Sequence, residues 1–261
     1  MSECDHQTGT TLYENPLARP EDVRGFIMEG PGAVSFPRGR MRLESTQDPG
    51  PDTDQAANQR ANLVFWCPEV FPDHIEISWE FTPLHEPGLA ILFFAAVGRD
   101  GKDLFDPSLA PRTGPYEQYH HGDIHALHVS YFRRRYAHER AFHLCNLRKS
   151  YGFHMVAQGA DPIPPVRDAV GPYQMTVTQC GRAVTVRIRG VSDWQPELEV
   201  LRWADDGAAY GSVLGGGRIG FRQMAPLVAE YANLRVCAID PSEETGTLTV
   251  WEHDTGRNIA T

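Results

Sequence analysis

The stretch Tyr116 to Arg135, YEQYHHGDIHALHVSYFRRR, gathers side chains that can move protons and hold anions. It contains four of the chain's eleven histidines, three tyrosines and a closing run of three arginines. Imidazoles and phenols serve as general bases and acids, and guanidinium groups grip carboxylates through paired N–H donors. From Asp123 onward the order of residues suits a β-strand. Asp123, His125, Leu127, Val129 and Tyr131 fall on one side, and Ile124, Ala126, His128, Ser130 and Phe132 on the other. Leu127 and Val129 read as core-facing, so His128 and Ser130 are expected to point outward. An ordinary solvated face would carry Lys, Glu and Thr. This one follows a loop, Tyr116 to Gly122, rich in the same titratable and aromatic types, which marks the region as a candidate site.

The bulk properties limit what such a site can serve. The 261 residues carry a formal net charge of −10, the wrong sign for a nucleic-acid binder, which needs a basic field to displace counterions. Charge is uneven, however: Tyr131 to Lys149 holds six Arg/Lys against one Glu, so an anionic substrate stays open. The five cysteines, Cys4, Cys67, Cys145, Cys180 and Cys237, include no CxxC pair and read as reduced, mostly buried thiols. The polar start MSECDHQTGT lacks the apolar centre of a secretory signal, and no apolar run reaches 18 residues. The expectation is a cytoplasmic protein with no membrane span.

The elements that must position the site are short and extended. Residues 1–12 read as disordered. Leu12 to Glu21, broken by Pro16 and Pro20, reads as an extended arm, and FIMEGPGAVSFPRGRMRLES as short strands joined by tight turns. Ile75, Ile77, Trp79 and Phe81 alternate with Glu76, Ser78 and Glu80, giving a strand with one buried and one wet face. Leu89 to Val97 is apolar on both sides, as a strand covered above and below requires. The long proline-interrupted loop Gly98 to Gly122 is of a length that is usually either functional or disordered, and its delivery of the chain to the His-rich strand favours function. Cys145 to Ser150, Gly152 to Gln158, Tyr173 to Gln179, Ala183 to Arg189, Leu198 to Trp203, Arg218 to Gln223 and Ala229 to Ile239 continue the strand pattern. No long amphipathic helix interrupts it. The reading is a single all-β domain over 13–240, two packed antiparallel sheets, with 241–261 a tail or an added edge strand.

The blocks MEGPGAVSFPRGRMRLES, FWCPEVFPDHIEISWEF, LFDPSL, HVSYFRRR, CNLRKSYGFHMVAQGADP and GRIGFRQM, spread over Asn15 to Ile239, together resemble the YesU-like family of uncharacterised bacterial proteins. The order of strands is similar to the concanavalin A-like group. The resemblance implies a galectin-like jelly-roll sandwich and an association with pectin and rhamnogalacturonan breakdown, with an oligosaccharide as partner. It implies no cofactor and carries over no reaction. Galectin-like sheets often pair edge to edge, which leaves a homodimer open.

In such sandwiches the outer face of one sheet forms a groove for a sugar chain. Three outward sets are candidates for it: Glu76, Ser78 and Glu80; His128 and Ser130; and Asn146 with Arg148, opposite Cys145 and Leu147. Tyr119, His120 and Trp66 would form the wall. β-Elimination on a uronic acid fits these types, with His128 or His120 as base, Tyr119 or Tyr131 as acid, and Asn146 with Arg148 clamping the carboxylate. Tyr131 has the wrong strand parity for that role. Glycoside hydrolysis fits less well, because Glu76 and Glu80, four positions apart on a strand, stand about 13 Å from one another, beyond both glycosidase geometries. A hydrolase would need a further carboxylate such as Asp106, Asp123 or Glu29. A non-catalytic, lectin-like module is the alternative from a different class.

Blander readings stand beside these. An outward strand histidine is as often hydrogen-bonded structure as a catalyst, and Trp79 reads as core. Of Arg133, Arg134 and Arg135, at most one belongs to a site. HHGDIHALH suggests a metal nest, but on a strand His125 and His128 point to opposite faces, so no metal ligand is assigned. Gly215, Gly217 and Gly220 match a dinucleotide fingerprint in form only, since a strand follows them rather than a helix.

Overall fold

Strand alternation becomes two antiparallel sheets in the computed structural model, which describes residues 9–190 and 196–240. The first sheet contains β1 (Thr11–Asn15), β3 (Gly32–Ser35), β4 (Met41–Ser45), β6 (His74–His85), β11 (Tyr173–Cys180), β12 (Ala183–Arg189), β13 (Leu198–Ala204) and β15 (Val228–Ala238). Its order is β13-β12-β11-β6-β15-β4-β3, with β1 also on β15. The second contains β2 (Ile27–Glu29), β5 (Leu63–Trp66), β7 (Leu89–Gly98), β8 (Ile124–Tyr131), β9 (Leu144–Ser150), β10 (His154–Ala160) and β14 (Arg218–Met224). Its order is β10-β9-β8-β7-β14-β5-β2. This is the all-β, galectin-like jelly-roll sandwich expected from the sequence. Among the described residues the helices are short: α1 (Gln55–Arg60), α2 (Glu117–His120), α3 (Ala137–Ala141) and three 3₁₀ turns.

The main core lies between the sheets. Trp79 and Phe81 of β6 meet Tyr131 of β8, and Phe221 of β14 meets Tyr231 of β15, ring against ring. β7 shows why its sequence is apolar throughout. Ala90, Leu92 and Phe94 enter this core, while Leu89, Ile91 and Phe93 point the other way into a second apolar cluster. A register shift between Phe94 and Val97 on the β8 side, with Ala95 at φ 50°, then reverses the parity.

The second cluster is what positions the site. The segment from Gly98 to Gly122 crosses the outer face of the second sheet and buries Leu104 and Tyr119 on Val64, Trp66, Phe93 and Met224. It is fastened at several points. Arg112 grips Glu29 through two nitrogens at 3.1 and 2.7 Å, Tyr116 N–H donates to Gln59 Oε1, and Arg222 Nη1 donates to the Gly114 carbonyl. Gly114, at φ 118°, lies so close to the Asn62 carbonyl that a Cβ would come within 2.3 Å of it. Gly220, far from binding a nucleotide, sits inside β14 under the Trp66 ring, where a Cβ would meet the indole at 2.4 Å.

Two boundaries differ from the sequence reading. Thr11 and Leu12, expected in a disordered arm, already pair with β15, because the Cys237–Leu234 edge offers β1 a ladder. The expectations for residues 1–8 and for the 241–261 tail lie outside the described residues.

Candidate functional site

His128 and Arg148 are direct cross-strand partners on β8 and β9, and Ser130 and Asn146 are the next pair. All four therefore share the outer face of the second sheet, opposite Leu127, Val129, Cys145 and Leu147 in the core. Met155 pairs with Arg148, and Gln158 with Asn146, from the edge strand β10. Alternation alone puts these side chains on one surface. That surface is bounded on one side by Tyr116 and His120 of the strap. The turn at Phe153 closes a second side, and Arg133, held by Glu139 of α3 at 2.7 Å, a third.

A hydrogen-bonded chain runs through it. Tyr116 Oη meets His128 Nδ1 at 2.8 Å, and His128 Nε2 meets Ser150 Oγ at 3.0 Å. The imidazole is only 1% exposed and stacks on Phe93. Burial, then the nearby Arg148 guanidinium, holds its pKa well below the ordinary histidine value, so the ring is neutral. A neutral imidazole donates at one nitrogen and accepts at the other, which is what a phenol and a hydroxyl on opposite sides can satisfy. His120 is half-buried. Burial and the neighbouring His121, whose Nδ1 lies 2.5 Å from its own, lower it to about 4. Burial pushes the Tyr116 hydroxyl up to about 12.

Positive charge without a matching negative one sets this face apart. Arg148 lies over the Phe153 ring at 3.8 Å and donates to the Phe153 carbonyl, and it pairs with no carboxylate among the described residues. Arg222, fully buried, is sandwiched between the Tyr116 and Tyr119 rings at 4.6 and 4.9 Å. It too lacks a carboxylate partner among the described residues. In one amide orientation Asn146 Oδ1 accepts from Gln158 Nε2 at 2.9 Å; in the other, which satisfies the group better, its oxygen accepts from Arg133 Nη1 at 3.0 Å and its nitrogen donates to the Cys145 carbonyl at 3.2 Å. The exposed rim is apolar: Tyr151, Phe153 and Met155 are each 42–48% exposed.

The remaining sequence candidates are placed elsewhere. Glu80 lies on the outer face of the first sheet, tied to Arg40 at 2.7 Å and to Asn233, so it cannot meet His128 across the sandwich. Glu76 shares that face, bonded to Arg187. Tyr131 is in the inter-sheet core, as its parity required. Trp66, on the correct sheet, is fully buried beneath the strap, and Tyr119, in the strap's own α2, is fully buried on the sheet side; the Trp66 indole N–H donates to Glu29. Neither touches solvent. Asp106 caps a turn of the strap, where its Oδ1 accepts from the Ser108 amide and hydroxyl. His128 and Asn146, expected as open contacts, form the buried floor. Their reach to a ligand runs through Tyr116, Arg133 and Gln158.

Sequence reasoning passed over Tyr116, Phe153 and Arg222. Tyr116 lies in the singled-out stretch itself. Arg222 alternates with the core residues Ile219 and Phe221, which turns a cation outward from β14, and that was a readable signal. The contact of Phe153 with Arg148 depends on how the β9–β10 turn folds back, which spacing does not show.

The fold and this face define a galectin-type β-sandwich. Lectin I-B4 from Griffonia simplicifolia (metal-free form) has a similar fold at 11% identity and a TM-score of 0.57, covering 87% of this chain and 99% of the lectin. The Emp47p carbohydrate recognition domain is similar at 13% identity and TM-score 0.53, covering 90% and 99%. More similar is a Bacillus subtilis protein of unknown function with a galectin-like fold, 50% identical with TM-score 0.81, covering 89% of this chain and 97% of that one. The uncharacterized protein YesU of Bacillus subtilis (strain 168) is 50% identical over 231 residues, 88% of this chain and 97% of YesU. Residues 10–236 match the family model described as domain of unknown function DUF1961, and the chain belongs to that family.

Proposed function

We propose that the protein binds an acidic oligosaccharide, of the pectin or rhamnogalacturonan type, on the outer face of the second sheet. One observation carries this reading: Arg148, half-buried on this face, has its stacking partner Phe153 in place but no carboxylate partner among the described residues. A sugar carboxylate supplies the missing charge, and charge-assisted hydrogen bonds are about twice as strong as neutral ones. The rim of Tyr151, Phe153 and Met155 offers apolar surface to the C–H faces of sugar rings. The Asn146–Gln158–Arg133 group supplies donors and acceptors for hydroxyls. Fold likeness to lectins supports a sugar ligand by analogy only.

The same groups suit binding better than proton abstraction. An effective base at neutral pH titrates near it. His120, at about 4, is a weak base, and Tyr116, at about 12, keeps its proton. His128 is sealed, with both nitrogens engaged. Hydrolysis has less support still, since Glu29 and Glu139, two carboxylates at the border of this face, are both held by arginines. β-Elimination remains a second reading for one reason: the Tyr116–His128 contact places a relayed proton donor beside Arg148.

Isothermal titration with an oligouronate and with its carboxyl-reduced, neutral counterpart tests the proposal. Heat with the first and none with the second is expected. Equal binding of both, or of neither, contradicts it. Enoate absorbance growing during the same incubation would assign elimination rather than binding alone.

A further inference from the structure

Resting on that reading, we infer that the site takes the end of an acidic chain, or a short oligomer, and not the interior of a long polymer. A sheet of seven strands spaced at about 4.8 Å is roughly 29 Å across, enough for a polymer to pass over it. Here more than half of that width is closed. The outer faces of β5, β7 and β14 lie under the strap, with Trp66 and Phe93 fully buried and Met224 nearly so. The outward residues of β8, Ile124, Ala126, His128 and Ser130, are buried as well, so what stays exposed lies on β9 and β10, two strands about 5 Å apart.

The strap is a wall and not a lid. Its ion pair, Arg112 with Glu29, has side chains only 6% and 9% exposed. Gly114 is pressed against the Asn62 carbonyl, and the buried Arg222 bonds the Gly114 carbonyl from below. The opposite side is different. β10 is the terminal strand of the sheet, and its Met155 and Gln158 are exposed. A chain anchored by its carboxylate on Arg148 therefore abuts Tyr116 and His120 on one side and leaves over β10 on the other.

Two measurements with α-1,4-linked oligogalacturonates and polygalacturonate as probes test this. Titration with oligomers of one to eight residues is expected to show affinity rising over the shortest members and then levelling before the octamer. Binding capacity per gram of polymer is expected to rise in proportion to chain ends as the polymer is partly cleaved. Affinity that keeps climbing to the octamer, or capacity indifferent to cleavage, overturns the inference while leaving acidic-sugar binding intact. No binding at any length overturns both. In Arg112→Ala, checked by thermal melting to be folded, the levelling is expected to shift to longer oligomers. A plateau unchanged in that folded variant contradicts the role of the strap as the wall.

Discussion

The two outer faces of the sandwich are built on opposite principles. On the first sheet nearly every charge is answered: Glu76 by Arg187, Glu80 by Arg40, and Glu230 by both Arg38 and Arg42. That face also holds a hollow of about 730 Å³, lined by Glu14, Asn15, Gln174, Thr176, Asn233 and Arg235 among others. It has the volume but no aromatic wall and little unbalanced charge. The second face carries two guanidinium groups without a carboxylate partner among the described residues, a buried Tyr–His–Ser chain and an exposed aromatic rim. On the proposed reading, a charged ligand follows the unanswered charge and not the size of the hollow.

The sharpest way to break the comparison is through its carboxylates. Glu29→Ala leaves Arg112 buried without its partner and is expected to cost about 3–5 kcal/mol of stability, read from denaturant midpoints. Glu230→Ala on the other face frees Arg38 and Arg42, 60% and 28% exposed, to reach water, and is expected to cost about 1 kcal/mol or less. Equal losses would mean that the faces do not differ as described.

Ligand affinity gives the next contrast. Arg148→Ala is expected to weaken oligouronate binding by about 2 kcal/mol, roughly 30-fold, in calorimetric titration. Arg187→Ala, on the opposite sheet, is expected to leave affinity unchanged. Phe153→Ala removes the surface under the guanidinium and is expected to cost about 0.5–1 kcal/mol, a few-fold in affinity.

The smallest effect is on pH dependence. His128 and His120 are held below the ordinary value of 6.5. As pH falls through 6.5 the unfolded chain binds protons that the folded chain refuses, so stability declines toward pH 4. Midpoints measured at pH 7 and pH 5 in His128→Asn should show a smaller decline than in the parent. An unchanged slope would mean that the buried imidazole does not set it.

Much of the architecture was legible because strand parity is a local property. Alternation in β8 and β9 put His128, Ser130, Asn146 and Arg148 outward, and the double-sided apolar run of β7 announced a strand covered on both faces. What parity cannot say is which sheet an outward face belongs to. Here the chain changes sheet between β6 and β7, so Glu80 lies on the opposite side of the molecule from β8 and β9. Nor does parity reveal what covers an outward residue. Trp66 and His128 face out from the core and are nonetheless buried, because the Gly98–Gly122 strap, with its own Tyr119 turned inward, lies over them or beside them. Its three prolines showed irregular structure; its anchoring through Glu29, Gln59 and Arg222 depends on contacts far apart in the chain.

The most direct measurement is a crystal structure with a bound uronate trimer. The account predicts a sugar carboxylate within hydrogen-bonding distance of the Arg148 guanidinium, a ring against Phe153, and the chain leaving over β10. A trimer ordered only in the hollow of the first sheet, between Gln174 and Arg235, would contradict it.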